Sequence, residues 1–128
     1  MIAFVSGDLL AAKVEALVNP VNTVGVMGKG LALAFKKAFP ANFKAYEAAA
    51  KAGALAVGSV FVFEAVGLVQ PRYILNFPTK AHWRDPSKLS YVEDGLRDLV
   101  RVVRARKIGS IAIPALGAGL GGLPWDDV

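Results

Sequence analysis

The segment Asn76-Phe77-Pro78-Thr79-Lys80-Ala81-His82-Trp83-Arg84 gathers the densest set of reactive side chains in the chain. A lysine there becomes a nucleophile if desolvation or neighbouring cations, here His82 or Arg84, disfavour its charged form. A solvated loop lysine is inert by contrast, so the segment by itself leaves both readings open. Trp83 can stack on a base or simply cover a sheet edge. The chain has no cysteine and a single histidine. Those counts exclude a disulfide framework, a Cys/His zinc site, a cysteine nucleophile and a multi-histidine metal centre. No metal or cofactor is expected, and His82 reads as structural or hydrogen-bonding. Chemistry must come from Asn, Asp, Lys, Ser/Thr or the backbone.

Two glycine-rich stretches accompany that segment. The first, Asn19-Pro20-Val21-Asn22-Thr23-Val24-Gly25-Val26-Met27-Gly28-Lys29-Gly30, leads into a helical pattern. Glycines let backbone approach a ligand closely, and a helix start offers free N–H groups to phosphate. It is not a P-loop, because Gly30 follows Gly28-Lys29 where Ser or Thr is required. A plain strand-to-helix turn explains it equally well. The second, Gly117-Ala118-Gly119-Leu120-Gly121-Gly122, matches G-x-G-x-x-G, but Pro124 delays any helix until after the glycines. Paired at neighbouring strand ends, the two loops would flank one crevice and suit an elongated ligand with a central pyrophosphate. Asp8, after the first apolar run, can accept a hydrogen bond from an adenine amino group or serve as a turn or cap residue. Asn19, Asn22 and Asn76 fall near expected strand ends, where amides can bond sugar hydroxyls or make turns.

These groups need a scaffold, and the apolar pattern supplies one. Ile2–Val5, Ala16–Val18, Ser59–Phe63, Tyr73–Leu75 and Ile111–Ile113 are short runs rich in β-branched or aromatic residues, and most are unbroken, as in strands buried on both faces. Helices are expected from about Gly30 to Phe39, where Pro40 intervenes, and from about Asn42 to Ala52. A third is expected over Ser90–Lys107, with Leu89, Val92, Leu96, Leu99 and Val103 lining one face and Ser90 with Glu93 forming a capping box. Strands alternating with helices predict an α/β layered fold with a mostly parallel sheet. The 128 residues make one domain. The pattern Leu123-Pro124-Trp125-Asp126-Asp127 reads as the start of a final helix cut short.

The net charge of +5 and pI of about 9.7 favour acidic partners. Part of that charge is the base-rich end of Ser90–Lys107, which complements the helix dipole. The longest apolar run, Gly53 to Phe63, is about half of the roughly 20 residues a membrane span needs. Asp8 interrupts the start too early for a signal peptide, so the expected location is cytoplasmic. Scarce Asn and Gln, with abundant Ala and Arg, hint at a thermophilic source.

Taken together, Gly7-Asp8-Leu9, Asn19-Pro20-Val21-Asn22, the Gly25–Gly30 loop and Pro114-Ala115-Leu116-Gly117-Ala118-Gly119-Leu120-Gly121-Gly122-Leu123-Pro124-Trp125 resemble a macrodomain, the ADP-ribose-binding α/β/α module. The resemblance spans essentially the whole chain in order and spacing. Met27-Gly28-Lys29-Gly30 with Asn76-Phe77-Pro78-Thr79-Lys80 is similar to the subfamily of the terminal ADP-ribose protein glycohydrolase and the DarG-type bacterial antitoxins. The stretch Lys80–Arg84 looks most like the latter, which strip ADP-ribose from thymidine in single-stranded DNA modified by a DarT-type toxin.

The resemblance implies a three-layer α/β/α macrodomain with a mixed, mostly parallel sheet, working as a monomeric DNA ADP-ribosyl glycohydrolase. It implies Lys80 and Asn22 as the catalytic pair, with Asn22 on the distal ribose beside the bond to be cut. Asp8 would hold the adenine amino group, and Leu9 is among the implied ADP-ribose-binding residues. Asn19, Gly25, Val26, Met27, Gly28, Lys29, Gly30 and Thr79 would line the first half of the ligand cleft. Pro114, Leu116, Gly117, Ala118, Gly119, Leu120 and Gly121 would line the second half. His82, Trp83 and Arg84 would meet the DNA strand, and the toxin partner would engage a region beyond this chain. The protein-directed relative has an acidic residue where this chain has Gly121, which favours a lysine-led mechanism. The rival readings are a non-catalytic ADP-ribose reader, which shares both glycine loops, and a hydrolase of O-linked ADP-ribose on protein carboxylates.

Overall fold

A computed structural model describes residues 2–4, 10, 13–28, 30–65, 71–81 and 88–114. In chain order its elements are β1 (Ile2–Phe4), β2 (Ala16–Asn22), α1 (Gly30–Ala38), α2 (Pro40–Lys51), β3 (Phe61–Glu64), β4 (Tyr73–Lys80), α3 (Leu89–Arg106) and β5 (Ile111–Ile113). The strands form one sheet in the order β1-β5-β2-β4-β3, and only β3, at an edge, runs antiparallel.

The period of two along each strand sorts the core onto two faces. Ala16, Val18, Leu75, Phe77, Ile111 and Ile113 pack under Val92, Leu99 and Val102 of α3. Leu17, Ile74 and Ala112 point the other way, onto Phe35 of α1. Val21 joins Met27 and Tyr46 of α2 further along that face. Helices on both faces of a mostly parallel sheet give the three-layer α/β/α architecture expected.

Three local expectations are corrected. Pro40 opens α2 at its first position, where its missing N–H costs nothing. The capping box does not form: α3 begins at Leu89 behind Lys88, and no side chain caps it. The buried stripe of α3 is Val92, Gly95, Leu99 and Val102, while Leu89 and Leu96 are exposed. The cause is Gly95, whose absent Cβ lets the Phe77 ring nestle against the helix axis and rotates the contact line towards it. An apolar-periodicity reading counts side chains and passes over a glycine used as a socket.

The two strands that carry the site run further than their apolar runs indicate. Both cross a proline, a residue usually confined to edge strands. Ala16 donates its N–H to the Ser110 carbonyl, so the even residues of β2 face β5; Pro20 faces that side beyond the last β2–β5 pair, Leu17↔Ala112. Tyr73 donates to the Glu15 carbonyl, so the even residues of β4 face β3; Pro78 lies past the last β3–β4 pair, Phe61↔Asn76. Among the described residues, each proline thus omits a donor past the last pair of the neighbouring ladder.

Candidate functional site

Beyond those prolines, β2 and β4 continue as a two-strand tongue. Their parallel register runs Ala16↔Tyr73 through Val21↔Pro78, then a bulge sets Asn22 opposite Lys80. Bulges re-aim side chains at strand ends, and this one places the two residues expected to be catalytic side by side. Two further bonds tie the tips together. Thr23 donates its N–H to the Lys80 carbonyl at 3.2 Å and its hydroxyl to the Ala81 carbonyl at 2.6 Å. The segment 76–80 is therefore strand rather than loop, and Lys80 stands half-buried on a fixed backbone with Thr79 buried beside it.

Asn22 organises the first glycine loop. Its Oδ1 accepts from the backbone N–H groups of Val24 (3.1 Å), Gly25 (3.2 Å) and Val26 (3.4 Å). Its Nδ2 donates to the Val26 carbonyl at 2.8 Å. The Tyr46 hydroxyl, from α2, lies 2.8 Å from both Asn22 Oδ1 and the Asn22 carbonyl and donates between them. Burial pushes the Tyr46 phenol up to about 12, against the opposing pull of backbone hydrogen bonds from Gly25, Asn22 and Val26. The loop turns at Gly25, whose φ of +94° only glycine adopts cheaply and whose missing Cβ would sit 3.0 Å from Ala50 Cβ. Met27 is buried, Val24 and Val26 are exposed, Gly28 lies open, and Gly30 starts α1 with no acidic residue in its first turn. That helix start retains its positive end for an anion.

One level below, three fully buried amides cross from sheet to helix. Asn42 of α2 and Asn76 of β4 exchange two bonds, 3.1 Å and 2.8 Å. Asn76 also donates to the Phe61 carbonyl, and its Oδ1 accepts from Asn19 Nδ2 at 3.2 Å. Asn19 Nδ2 reaches Met27 Sδ at 4.0 Å, while Asn19 Oδ1 is a buried side-chain acceptor without a partner among the described residues. Asn76 is thus an interior strut rather than a strand-end group that could reach a sugar. All four asparagines of the chain lie in this site or directly beneath it. Sequence reasoning missed Tyr46 and Asn42. Their signal was the four-residue spacing, which puts both on one face of α2, together with the scarcity of Asn.

Pro114 follows β5 at the same end of the sheet. Asp8, Leu9, Lys29, His82, Trp83, Arg84, Leu116, Gly117, Ala118, Gly119, Leu120 and Gly121 lie outside the described residues, and with them the second glycine loop. Among the described residues no helix is long and apolar enough to cross a membrane.

Comparison with known proteins agrees with this layout. The Macro domain family matches residues 18–128. The chain is 59% identical over its full 128 residues to a Thermus aquaticus protein named DNA ADP-ribosyl glycohydrolase, covering 36% of that protein. It superimposes on the macrodomain of Mycobacterium tuberculosis DarG with a TM-score of 0.95 at 57% identity, covering 99% of this chain and 84% of that one. It also matches Thermosipho africanus DarTG in complex with ADP-ribose, at a TM-score of 0.89 and 37% identity over 97% of this chain and 35% of that one. The chain spans about a third of the length of the curated relatives it matches.

Proposed function

This chain belongs to the macrodomain family, and we propose that it is a DNA ADP-ribosyl glycohydrolase that removes ADP-ribose from thymidine in single-stranded DNA, acting as antitoxin to a DarT-type toxin. The observation that carries the reading is the bulged end of β2–β4, which sets Lys80 opposite Asn22 beneath the first glycine loop. A relative from Thermosipho africanus is named a fusion of DNA ADP-ribosyl transferase and DNA ADP-ribosyl glycohydrolase, which supports the pairing with a toxin.

In this reading the first loop and the start of α1 hold the pyrophosphate and the distal ribose, and Asn22 meets that ribose beside the scissile bond. Holding the reacting carbon against Lys80 converts a bimolecular encounter into a positioned one. The Lys80 amine attacks C1 of the distal ribose; the bond to the thymine nitrogen breaks, and the base leaves with the electron pair and takes the proton that the amine sheds. The sugar opens to an imine on Lys80. One water then adds to that carbon, returning the free amine and ADP-ribose. His82, Trp83 and Arg84, three residues with stacking faces or cationic charge, meet the DNA strand next to Lys80.

The test offers ADP-ribosylated thymidine oligonucleotide and ADP-ribosylated protein side by side. Release from the oligonucleotide is expected, and release from protein alone would sink the DNA reading. Lys80→Ala is expected to cut turnover by on the order of 10²-fold or more. Borohydride should trap ADP-ribose on the wild-type chain and not on Lys80→Ala; equal labelling of both removes the covalent step.

A further inference from the structure

Asn22 has more demands on its oxygen than a ligand-binding amide usually carries. Its Oδ1 already accepts three backbone N–H groups and the Tyr46 hydroxyl. An amide oxygen has two lone pairs, and these are saturated. The nitrogen has two N–H bonds, one of them committed to the Val26 carbonyl. What the side chain can still offer outward is one N–H.

Backbone donors alone do not fix that polarity, because they come from the loop that Asn22 itself shapes. Tyr46 is anchored outside that loop, although its hydroxyl also meets the Gly25 and Val26 backbone. The residue sits on α2, is fully buried, and its ring packs with Val21 and Met27. The same helix is keyed to β4 by the double amide bond of Asn42 and Asn76, so the Tyr46 hydroxyl is delivered from a rigid base. It spans the main chain and side chain of one residue, which clamps χ1 of Asn22 as well as its amide plane.

We propose that Tyr46 is a positioning residue that holds Asn22 with its amide oxygen turned inward, so that Asn22 addresses the ligand as a donor, to an oxygen of the distal ribose. This rests on the placement of the distal ribose at Asn22 described above. The phenol remains protonated, and therefore a donor, across the neutral range. Tyr46 touches no substrate; it acts through Asn22.

The experiment measures ADP-ribose and ADP binding by calorimetry on the full chain as wild type, Tyr46→Phe, Asn22→Ala and the double variant. ADP lacks the distal ribose, so it reports the rest of the cleft. Tyr46→Phe is expected to weaken ADP-ribose about tenfold, equivalent to about 1.4 kcal/mol, and to leave ADP within twofold. In the Asn22→Ala background the same change should add nothing, because its route of action is gone. Equal losses for the two ligands, or a tenfold loss that persists without Asn22, would overturn the proposal. The ring is retained in Tyr46→Phe, and nuclear magnetic resonance of the Asn22 side-chain amide gives a ligand-free check. Tyr46→Phe should shift that signal and speed its exchange; an unchanged signal counts against the clamp. Because binding is read and not turnover, a chain that binds ADP-ribose yet fails to cleave modified DNA would refute the hydrolase reading and leave the positioning role standing.

Discussion

Replacing Gly95 with alanine separates two opposed forces, and the structure decides the sign. On an exposed helix interior, Gly→Ala stabilises by about 1 kcal/mol. Gly95 is buried, however, where α3 crosses β4. A Cβ there would fall on the Phe77 ring, 2.6 Å from Cε1, 3.0 Å from Cε2 and closer still to Cζ. Carbon–carbon contacts are comfortable at about 3.5–4.0 Å, so one partner must retreat by about 1 Å. Phe77 is fully buried among Val18, Leu75, Val92 and Leu99 and has no room to swing. The helix must lift instead, loosening Val92, Leu99 and Val102 from the sheet. Overpacking of this kind costs about 1–3 kcal/mol, occasionally more. Overpacking less the propensity gain leaves an expected net loss of about 1 kcal/mol, roughly 3–6 °C in Tm for a domain of this size. Urea unfolding followed by circular dichroism should show a lower midpoint with an unchanged slope. Phe77→Leu in the Gly95→Ala background should then cost less than it does alone, since the smaller side chain relieves the clash. A midpoint equal to or above wild type would refute the packing argument and leave helix propensity as the governing term.

The remaining predictions bear on the layer beneath the site. Gly25→Ala should cost about 1–2 kcal/mol from the positive φ alone, with Ala50 Cβ in the way as well, and should weaken ADP-ribose binding; thermal melts and calorimetry check both. Asn42→Leu strands one N–H of Asn76, whose Oδ1 keeps the bond from Asn19, and should cost about 1–3 kcal/mol. Asn42→Asp should be worse at neutral pH, because it buries a carboxylate that cannot return the bond to Asn76 Oδ1, and should recover in acid as that group is neutralised. Tyr46 has a folded-state value raised from 10 to about 12, so its contribution to stability is fully present below pH 10 and fades as pH climbs towards 12. The wild-type chain should therefore lose stability more steeply than Tyr46→Phe across that alkaline window; parallel curves would show that the phenol is not held protonated.

The frame of the fold was legible because it rests on patterns that burial enforces. The apolar runs at 16–18, 73–75 and 111–113 mark the strands, and the helices fall within a few residues of their expected bounds. Lys80 and Asn22 could be paired only through the resemblance, since the 57 residues 23–79 lie between them and no local signal shows which strands are neighbours. The ends of β2 and β4 were misread for a physical reason. Proline and asparagine normally punctuate strands, and here the sheet accepts them past the last neighbouring pairs of the described residues. Asn76 was misread on the same grounds: an asparagine becomes an interior strut only when another buried amide stands opposite, and Asn42 lies 34 residues away on a helix.

That geometry also accounts for the amides under the site where leucines would pack well. Past Pro20 and Pro78 the tongue loses the described ladders on both sides and keeps only its own pairing. A two-stranded ribbon is marginal by itself, so its tip must be held from another layer. Apolar packing would supply cohesion but tolerates sliding, since one leucine surface fits another at many offsets. The double bond between Asn42 and Asn76 fits at one offset, as does the Tyr46 hydroxyl over Asn22. The two contacts lie one helical turn apart on α2 and brace β4 and β2 separately, below Lys80 and at Asn22. A shift of either strand along its axis would leave buried polar groups unpaired, at about 1–3 kcal/mol for each. Relative position of the two site residues is thus maintained by α2, which carries neither of them, and substitutions on its inner face should disturb the site more than its distance from Lys80 in the chain implies.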